Sequence, residues 1–360
     1  MNKAVSTRPP RVLKEVKNME PSARKQKILS EIVERFIQSG EPVGSKSLLN
    51  VEGLSVSSAT VRNDMAELTE KGYIAQPHIS AGRVPTRLGY RYYIDNIMKL
   101  KPISERGREY IRESLEENSD SPESILQSAA DVLARLTSCA ALATTPNGDD
   151  GRIRRISFVA TGAHTGMAVV IASTGVIQTK LFRCDFLLTP ELLGVFEKAF
   201  NDVFAGIRLS AVNRPFVQTA AAGFGELSLF MTAPLMAIMD ACSNAARVRV
   251  CRSGFGKLMS ITGASLAEAH RLWEFWQNDH DLAAMLLKTP QNASVAIGAE
   301  NSRVELSNSS VASARYSAGS AASGVLAVIG PTRMDYARTL SVLQCVAENA
   351  GELIGELIEK

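Results

Sequence analysis

The chain has 360 residues, too many for one ordinary core, so two or three domains are expected. Its hydrophobic fraction of 45% is that of a globular chain, no apolar run approaches the ~20 residues of a membrane-spanning helix, and five cysteines without a C-x-x-C pair argue for a reducing cytoplasm and against a disulfide framework or zinc site. The net charge of +3 is unevenly spread: residues 1–100 hold 16 Lys+Arg against 10 Asp+Glu and the remainder is slightly acidic, as in a protein that meets a polyanion at one end.

Residues 1–21 carry Arg8, Arg11, Lys14 and Lys17 around Pro9 and Pro10, with little that is apolar, and read as a basic disordered tail. A helix is predicted from about Ser22 to Gln38, with Ile28, Leu29, Ile32, Val33, Phe36 and Ile37 at helical spacing and Gly40 as its stop. In "GEPVGSKSLLN", Pro42 and Gly44 make a turn. Ser45 then caps a short second helix bearing Leu48 and Leu49. Ser57 caps a third helix whose Val61, Met65 and Leu68 face inward.

That third helix leaves Ala59, Arg62, Asn63, Ala66 and Glu70 on a free face, with Thr60 lateral near its N-terminal end. Arginine can pair bidentately with guanine and asparagine with adenine, small Ala59 permits close approach, and the N-terminal helix pole suits phosphate. After Gly72, "YIAQ" and "GRVPT" read as the strands of a hairpin. Its "PHISAGRVPT" has little to bury but offers His78, Ser80, Arg83, Thr86 and Arg87 as donors to phosphate or the minor groove. Helix, turn, helix and hairpin together suggest a DNA-binding domain over 22–104.

Beyond it, residues 105–140 read as two helices, the second with Ile125, Ala129, Val132 and Leu136 along one side. "NGDDG" at 147–151 is a turn cluster, and "RISFVA", "GMAVVIAS" and "VIQTKLFR" are successive strands. Residues 189–288 are mostly helical. Strands resume at "SVAIGAE", "SVASARYS" and "GVLAVIG", and a last helix runs from about Arg333. Strands split by a helical block and then resumed suggest one α+β domain with an insertion. In the last helix Tyr336, Leu340, Leu343, Ala347, Ala350, Ile354 and Leu357 form a heptad stripe. Val346 and Leu353 broaden it, which favours packing within the chain. Thr332 is expected to cap this helix, with Asp335 three residues on as in a capping box.

Catalytic motifs are lacking. "GEPVGSKS" has three residues between its glycines and Ser45 ahead of the lysine, so it departs from a phosphate-binding loop. There is no G-x-S-x-G or H-E-x-x-H, and His78, His164, His270 and His280 do not cluster.

The segments "GEPVGSKSL", "SSATVRNDMAEL", "GYIAQPH", "SAGRVPT" and "GYRYYID", with "VIGPTRMDYARTLSVL" near the C-terminus, closely resemble HrcA, the bacterial heat-inducible transcription repressor family. The likeness covers both ends and is weaker over 189–288. Ile79 stands where the family pattern has Thr. The resemblance implies an α+β multidomain protein: a winged helix-turn-helix, a GAF-like domain in two parts (105–188 and 289–360) and an inserted, mostly helical dimerisation domain (189–288). It implies a cytoplasmic homodimer, not an enzyme, that binds the inverted-repeat CIRCE operator in double-stranded DNA and represses chaperonin and related genes. Heat would release repression through titration of the chaperonin GroE. The expected DNA-contacting set is Ser45, Ser57, Ser58, Ala59, Thr60, Arg62 and Asn63 from turn and helix, with His78, Ser80, Arg83, Thr86 and Arg87 from the wing. No cofactor or metal is expected. An alternative is a DNA-binding regulator controlled by a small effector in the GAF-like domain.

Overall fold

The apolar spacing of the N-terminal third produces a small helical core. In the computed structural model, which describes residues 21–49, 51, 54, 56–117, 119–146, 151–262, 266–319 and 322–359, the basic tail before Pro21 and the turn cluster at 147–150 lie outside the described residues. Helix α1 (Ala23–Ser39), a 3-10 turn (Ser45–Leu48) and α2 (Ser58–Glu70) bury Ile28, Leu29, Ile32, Leu48, Val61, Met65 and Leu68. Gly40 ends α1 at φ 73°, a left-handed conformation that glycine adopts without a Cβ clash. Strands β1 (Ile74–Ala75) and β2 (Val84–Pro85) form the antiparallel hairpin, and α3 (Arg87–Tyr92) runs on into a π-turn, Tyr93–Ile97. The expected second helix is only the 3-10 turn. There the Ser47 hydroxyl donates to the Gly44 carbonyl at 2.8 Å, a local bond that competes with helix propagation.

Helices α4 (Glu105–Glu116) and α5 (Pro122–Thr137) lead into β3 (Ala140–Thr144). The chain then makes a long excursion through β4 (Ile153–Gly162), β5 (Thr165–Ala172), β6 (Ile177–Arg183), α6 (Pro190–Phe204), α7 (Arg214–Gly223) and α8 (Ser228–Ala246). It returns in β7 (Val250–Ser253), followed by α9 (Phe255–Thr262), α10 (Leu266–Gln277), α11 (Asp279–Leu286), β8 (Ser294–Ile297), β9 (Ser309–Ala318), β10 (Ala322–Pro331) and α12 (Tyr336–Glu359).

Strand alternation divides the body into layers. The antiparallel sheet has the order β7-β3-β10-β9-β8. Ala141, Ala143, Leu326 and Val328 turn to one face and pack with α5 and α12; Ala140, Leu142, Val325, Ala327 and Ile329 turn to the other and pack with Leu258, Leu272, Phe275, Trp276 and Leu282 of α9–α11. The α12 stripe from Tyr336 to Ile354 is buried within this chain, with Leu357 exposed. At its start the cap is Asp335, not Thr332: Asp335 Oδ1 accepts from Arg338 N at 3.1 Å, while the Thr332 carbonyl accepts from the Tyr336 hydroxyl at 2.5 Å.

The excursion is a separate packing unit, and this corrects the boundaries drawn from sequence at 188 and 288. Strands β4-β5-β6 form their own meander and share a phenylalanine-rich core with α6–α8. The chain leaves the body at Thr145 and re-enters at Arg249, where Thr145 N donates to the Arg249 carbonyl and Arg249 N to Thr145 Oγ1, both at 2.9 Å. The insertion therefore begins with strands, and helices α9–α11 belong to the body. In sequence the strands at 153–183 look like those of the body, because period-two alternation reports that a face is buried, not which sheet it belongs to.

Helix α8 also departs from expectation, being by length and composition apolar enough to cross a membrane. Its Met231, Leu235, Ile238 and Cys242 are buried in the insertion core.

Candidate nucleic-acid interface

Helix α2 is fixed to α1 by charge as well as by its apolar face. Arg24 grips the buried Asp64 carboxylate with two nitrogens, Nε–Oδ2 2.6 Å and Nη2–Oδ1 3.1 Å. That hydrogen bond first, and the Asp64 charge second, raise the Arg24 guanidinium further above its ordinary range. Lys25 pairs with Glu67. Two of the carboxylates on α2 are thus tied back to α1, which offsets negative charge beside the outer face. Sequence reading missed Asp64, because a lone acid on an amphipathic helix gives no sign of a partner 40 positions away.

The residues expected to meet DNA divide by environment. Ser57 caps α2: its Oγ accepts from Thr60 N at 3.2 Å and lies 3.0 Å from the Thr60 hydroxyl. Ser45 starts the 3-10 turn and is half-buried, as are Ser58 and Thr60. Ala59, Arg62 and Asn63 are exposed on one side of α2, and neither the Arg62 nor the Asn63 side chain is hydrogen-bonded to another described residue. This surface presents a small residue, a guanidinium and a carboxamide on a rigid helix, the chemical set that can read base edges.

The hairpin is stapled to the helix-turn-helix turn. Val43 N donates to the Arg83 carbonyl and Arg83 N to the Val43 carbonyl, each at 2.8 Å. The strands approach closely because residue 82 is glycine; a Cβ there would lie 2.5 Å from the Val43 carbonyl atoms. At the tip His78, Ile79 and Ser80 are exposed on a turn closed by Ala81 N donating to the His78 carbonyl at 2.9 Å.

Three of the expected wing residues also touch the fold. Arg83 is half-buried, with Nε donating to Thr69 Oγ1 of α2 at 3.2 Å, a bond that links hairpin and helix. Thr86 caps α3, its Oγ1 accepting from Gly89 N at 3.1 Å and donating to the Gly72 carbonyl at 2.6 Å. Arg87 is exposed, but its Cδ lies 3.9 Å from the position of a Cβ on Gly298, so its stem runs beside the body. A polar residue in a turn-rich segment looks the same in sequence whether it serves the fold or a ligand.

Behind the hairpin, α3 docks on the body. Arg91 pairs with Glu300 and Asp95 and donates to the Val295 carbonyl at 2.7 Å. Tyr90 meets Tyr336 edge-on, with ring centroids 5.8 Å apart. Burial first, with the neighbouring Tyr336 second, pushes the Tyr90 phenol well above its usual range.

Residues 123–340 match the family model described as HrcA protein C terminal domain, and residues 49–84 match that of a DeoR-like helix-turn-helix domain. The latter span includes α2 and the hairpin as far as Val84. The heat-inducible transcription repressor HrcA of Laribacter hongkongensis is 32% identical over 328 residues, covering 90% of this chain and 93% of that protein. Its counterpart from Syntrophobacter fumaroxidans is 31% identical over 343 residues, covering 93% and 98% respectively. A solved structure described as a hypothetical protein at 2.2 Å resolution aligns with a TM-score of 0.60 and 24% identity over 94% of this chain and 100% of that one, a likeness of fold.

Proposed function

Because the chain belongs to the HrcA family of heat-inducible transcription repressors, we propose that it represses chaperonin and related heat-shock genes as a homodimer on the CIRCE inverted repeat, and that titration of the chaperonin GroE by unfolded proteins releases it. The family assignment makes it a transcription repressor with a DNA-binding helix-turn-helix, not an enzyme. The observation that carries the operator reading is the exposed Ala59–Arg62–Asn63 face, on a helix rigidly coupled to a hairpin through Arg83 and Thr69. Arg62 and Asn63 would read bases, while Ser45, Ser57, Ser58, Thr60, His78 and Ser80 would border the phosphates.

The body fits a GAF-like domain, being an antiparallel five-stranded sheet with helices on both faces. The insertion between Thr145 and Arg249 is the proposed dimerising element. The outer face of its sheet exposes Val159, Ile177 and Leu181, and the start of α8 exposes Leu229 and Phe230. Apolar surface of this kind is what a second copy would cover. Chaperonin dependence has a physical basis in the β3–β7 pairing, which forms only after the whole insertion has been passed. Long-range closure of that sort slows folding and exposes unpaired strand edges.

The test is an anisotropy titration of a labelled CIRCE duplex against the full-length protein, with and without chaperonin and ATP, across a temperature series. Tight specific binding that declines with heat and is raised by chaperonin is the expected result. Equal affinity for random DNA would remove the operator reading; full, heat-stable binding indifferent to chaperonin would remove the titration mechanism.

A further inference from the structure

The hairpin tip lacks Lys, Arg, Asp and Glu, yet lies beside a face suited to DNA. Between Lys71 and Arg83 the sequence holds no Lys, Arg, Asp or Glu. Phosphates are held chiefly by fixed cations, so the tip is poorly equipped to hold them electrostatically. At its apex is Ile79, 100% exposed. Central turn positions ordinarily carry Gly, Pro, Asn, Asp or Ser, and a β-branched apolar side chain there buries nothing in the folded protein.

The apex is also held in place. Gln76 Nε2 donates to the Ile79 carbonyl at 2.7 Å and to the Ala81 carbonyl at 3.1 Å, spanning the turn from inside. The return strand is pinned at Arg83 to Val43 and to Thr69 of α2. Ile79 is therefore carried at a set position relative to Arg62 and Asn63, flanked by the polar His78 and Ser80.

We infer that Ile79 is a minor-groove wedge. When α2 occupies the major groove, the hairpin carries Ile79 to the adjacent minor groove, where it inserts against a base step and partly unstacks it. His78 and Ser80 meet the sugar-phosphate walls on either side. Apolar wedges act this way in other minor-groove proteins, with unstacking offset by the added contact and the bend. The inference rests on the reading of α2 and its hairpin as the DNA-binding surface. It adds a contact that selects for deformable steps flanking the bases read by α2.

The experiment uses the full-length protein with a CIRCE duplex carrying 2-aminopurine at the steps flanking the repeat. Ile79→Ala, Ile79→Leu and Arg62→Ala are compared by anisotropy, salt series, 2-aminopurine fluorescence and thermal melts. Wild type and Ile79→Leu should raise the fluorescence on binding. Ile79→Ala should bind about tenfold more weakly and lose the fluorescence rise, with melting temperature and salt slope unchanged. Wild-type affinity and fluorescence in Ile79→Ala would overturn the wedge; if Arg62→Ala still loses operator binding, the DNA-binding reading survives without it. If Arg62→Ala is silent as well, both fall.

Discussion

Arg91 of the DNA-binding unit lies against Glu300 of the body, its Nε 3.3 Å from one carboxylate oxygen, and this pair fixes how the two units dock. The guanidinium is largely buried, so truncation leaves a mostly covered carboxylate with the Ile297 N–H but no countercharge from Arg91. Arg91→Ala should weaken docking by about 3 kcal/mol. The readout is proteolysis of the connecting segment 98–104, which should become faster, together with an early transition in calorimetry. One unshifted transition with unchanged cleavage would show that the pair contributes little.

Tyr90 gives a prediction of opposite sign at the same junction. Its hydroxyl is buried with no hydrogen-bond partner among the described residues. Tyr90→Phe keeps the edge-on contact with Tyr336 and removes the orphaned group, so it should stabilise by about 1 kcal/mol. A lower melting temperature in this variant would mean that the hydroxyl has a partner after all.

Gly82 tests the coupling of wing to turn. A methyl group there would meet Val43 backbone at 2.5 Å, too close to be absorbed without separating the strands. Gly82→Ala should destabilise the N-terminal unit by roughly 1–3 kcal/mol and reduce operator affinity, while the melting of the body stays in place. Amide exchange at Val43 and Arg83 should rise in step. Retained protection at both amides would refute the coupling.

Alkaline pH should destabilise the chain through the buried Cys242 thiol and the half-buried Cys251 thiol. Burial pushes the Cys242 thiol from 9.0 up to about 12, and burial, with Glu123 nearby, pushes Cys251 up to about 11. Both are neutral when protonated, and in each the folded value is the higher one. The resulting stability is complete below pH ~9 and is lost as pH rises toward the folded values. Melting temperatures should hold through neutrality and fall above pH ~9, and Cys242 should resist iodoacetamide at pH ~8 until denatured. Ready alkylation of native Cys242 would contradict its burial.

Much of this was legible in the sequence where local pattern determines the outcome. Val61, Met65 and Leu68 announced the buried face of α2, Ser57 its cap, and the α12 stripe its packing within the chain. The positions that escaped depend on partners distant in sequence. Asp64 has the look of a solvent-facing acid until Arg24 is placed beside it, and the bond from Arg83 Nε to Thr69 gives no sign of itself in the sequence. The strands at 153–183 have the same alternation as those of the body, and only pairing reveals a second sheet. Ile79 was visible as a departure from the family pattern, but its full exposure at a braced apex emerges only in three dimensions.

The central claim is that the outer face of α2 reads operator bases, and one matched measurement addresses it most directly. Arg62→Ala, Asn63→Ala and Met65→Ala are titrated against a CIRCE duplex and a random duplex, with melts of each variant. Arg62 and Asn63 are exposed, so their loss should cost about 1–3 kcal/mol on the operator, much less on random DNA and almost nothing in stability. Met65 is 5% exposed, and its truncation should instead destabilise the domain by roughly 2–5 kcal/mol. Equal losses on both duplexes for Arg62→Ala and Asn63→Ala, or no loss on either, would contradict base reading by this helix.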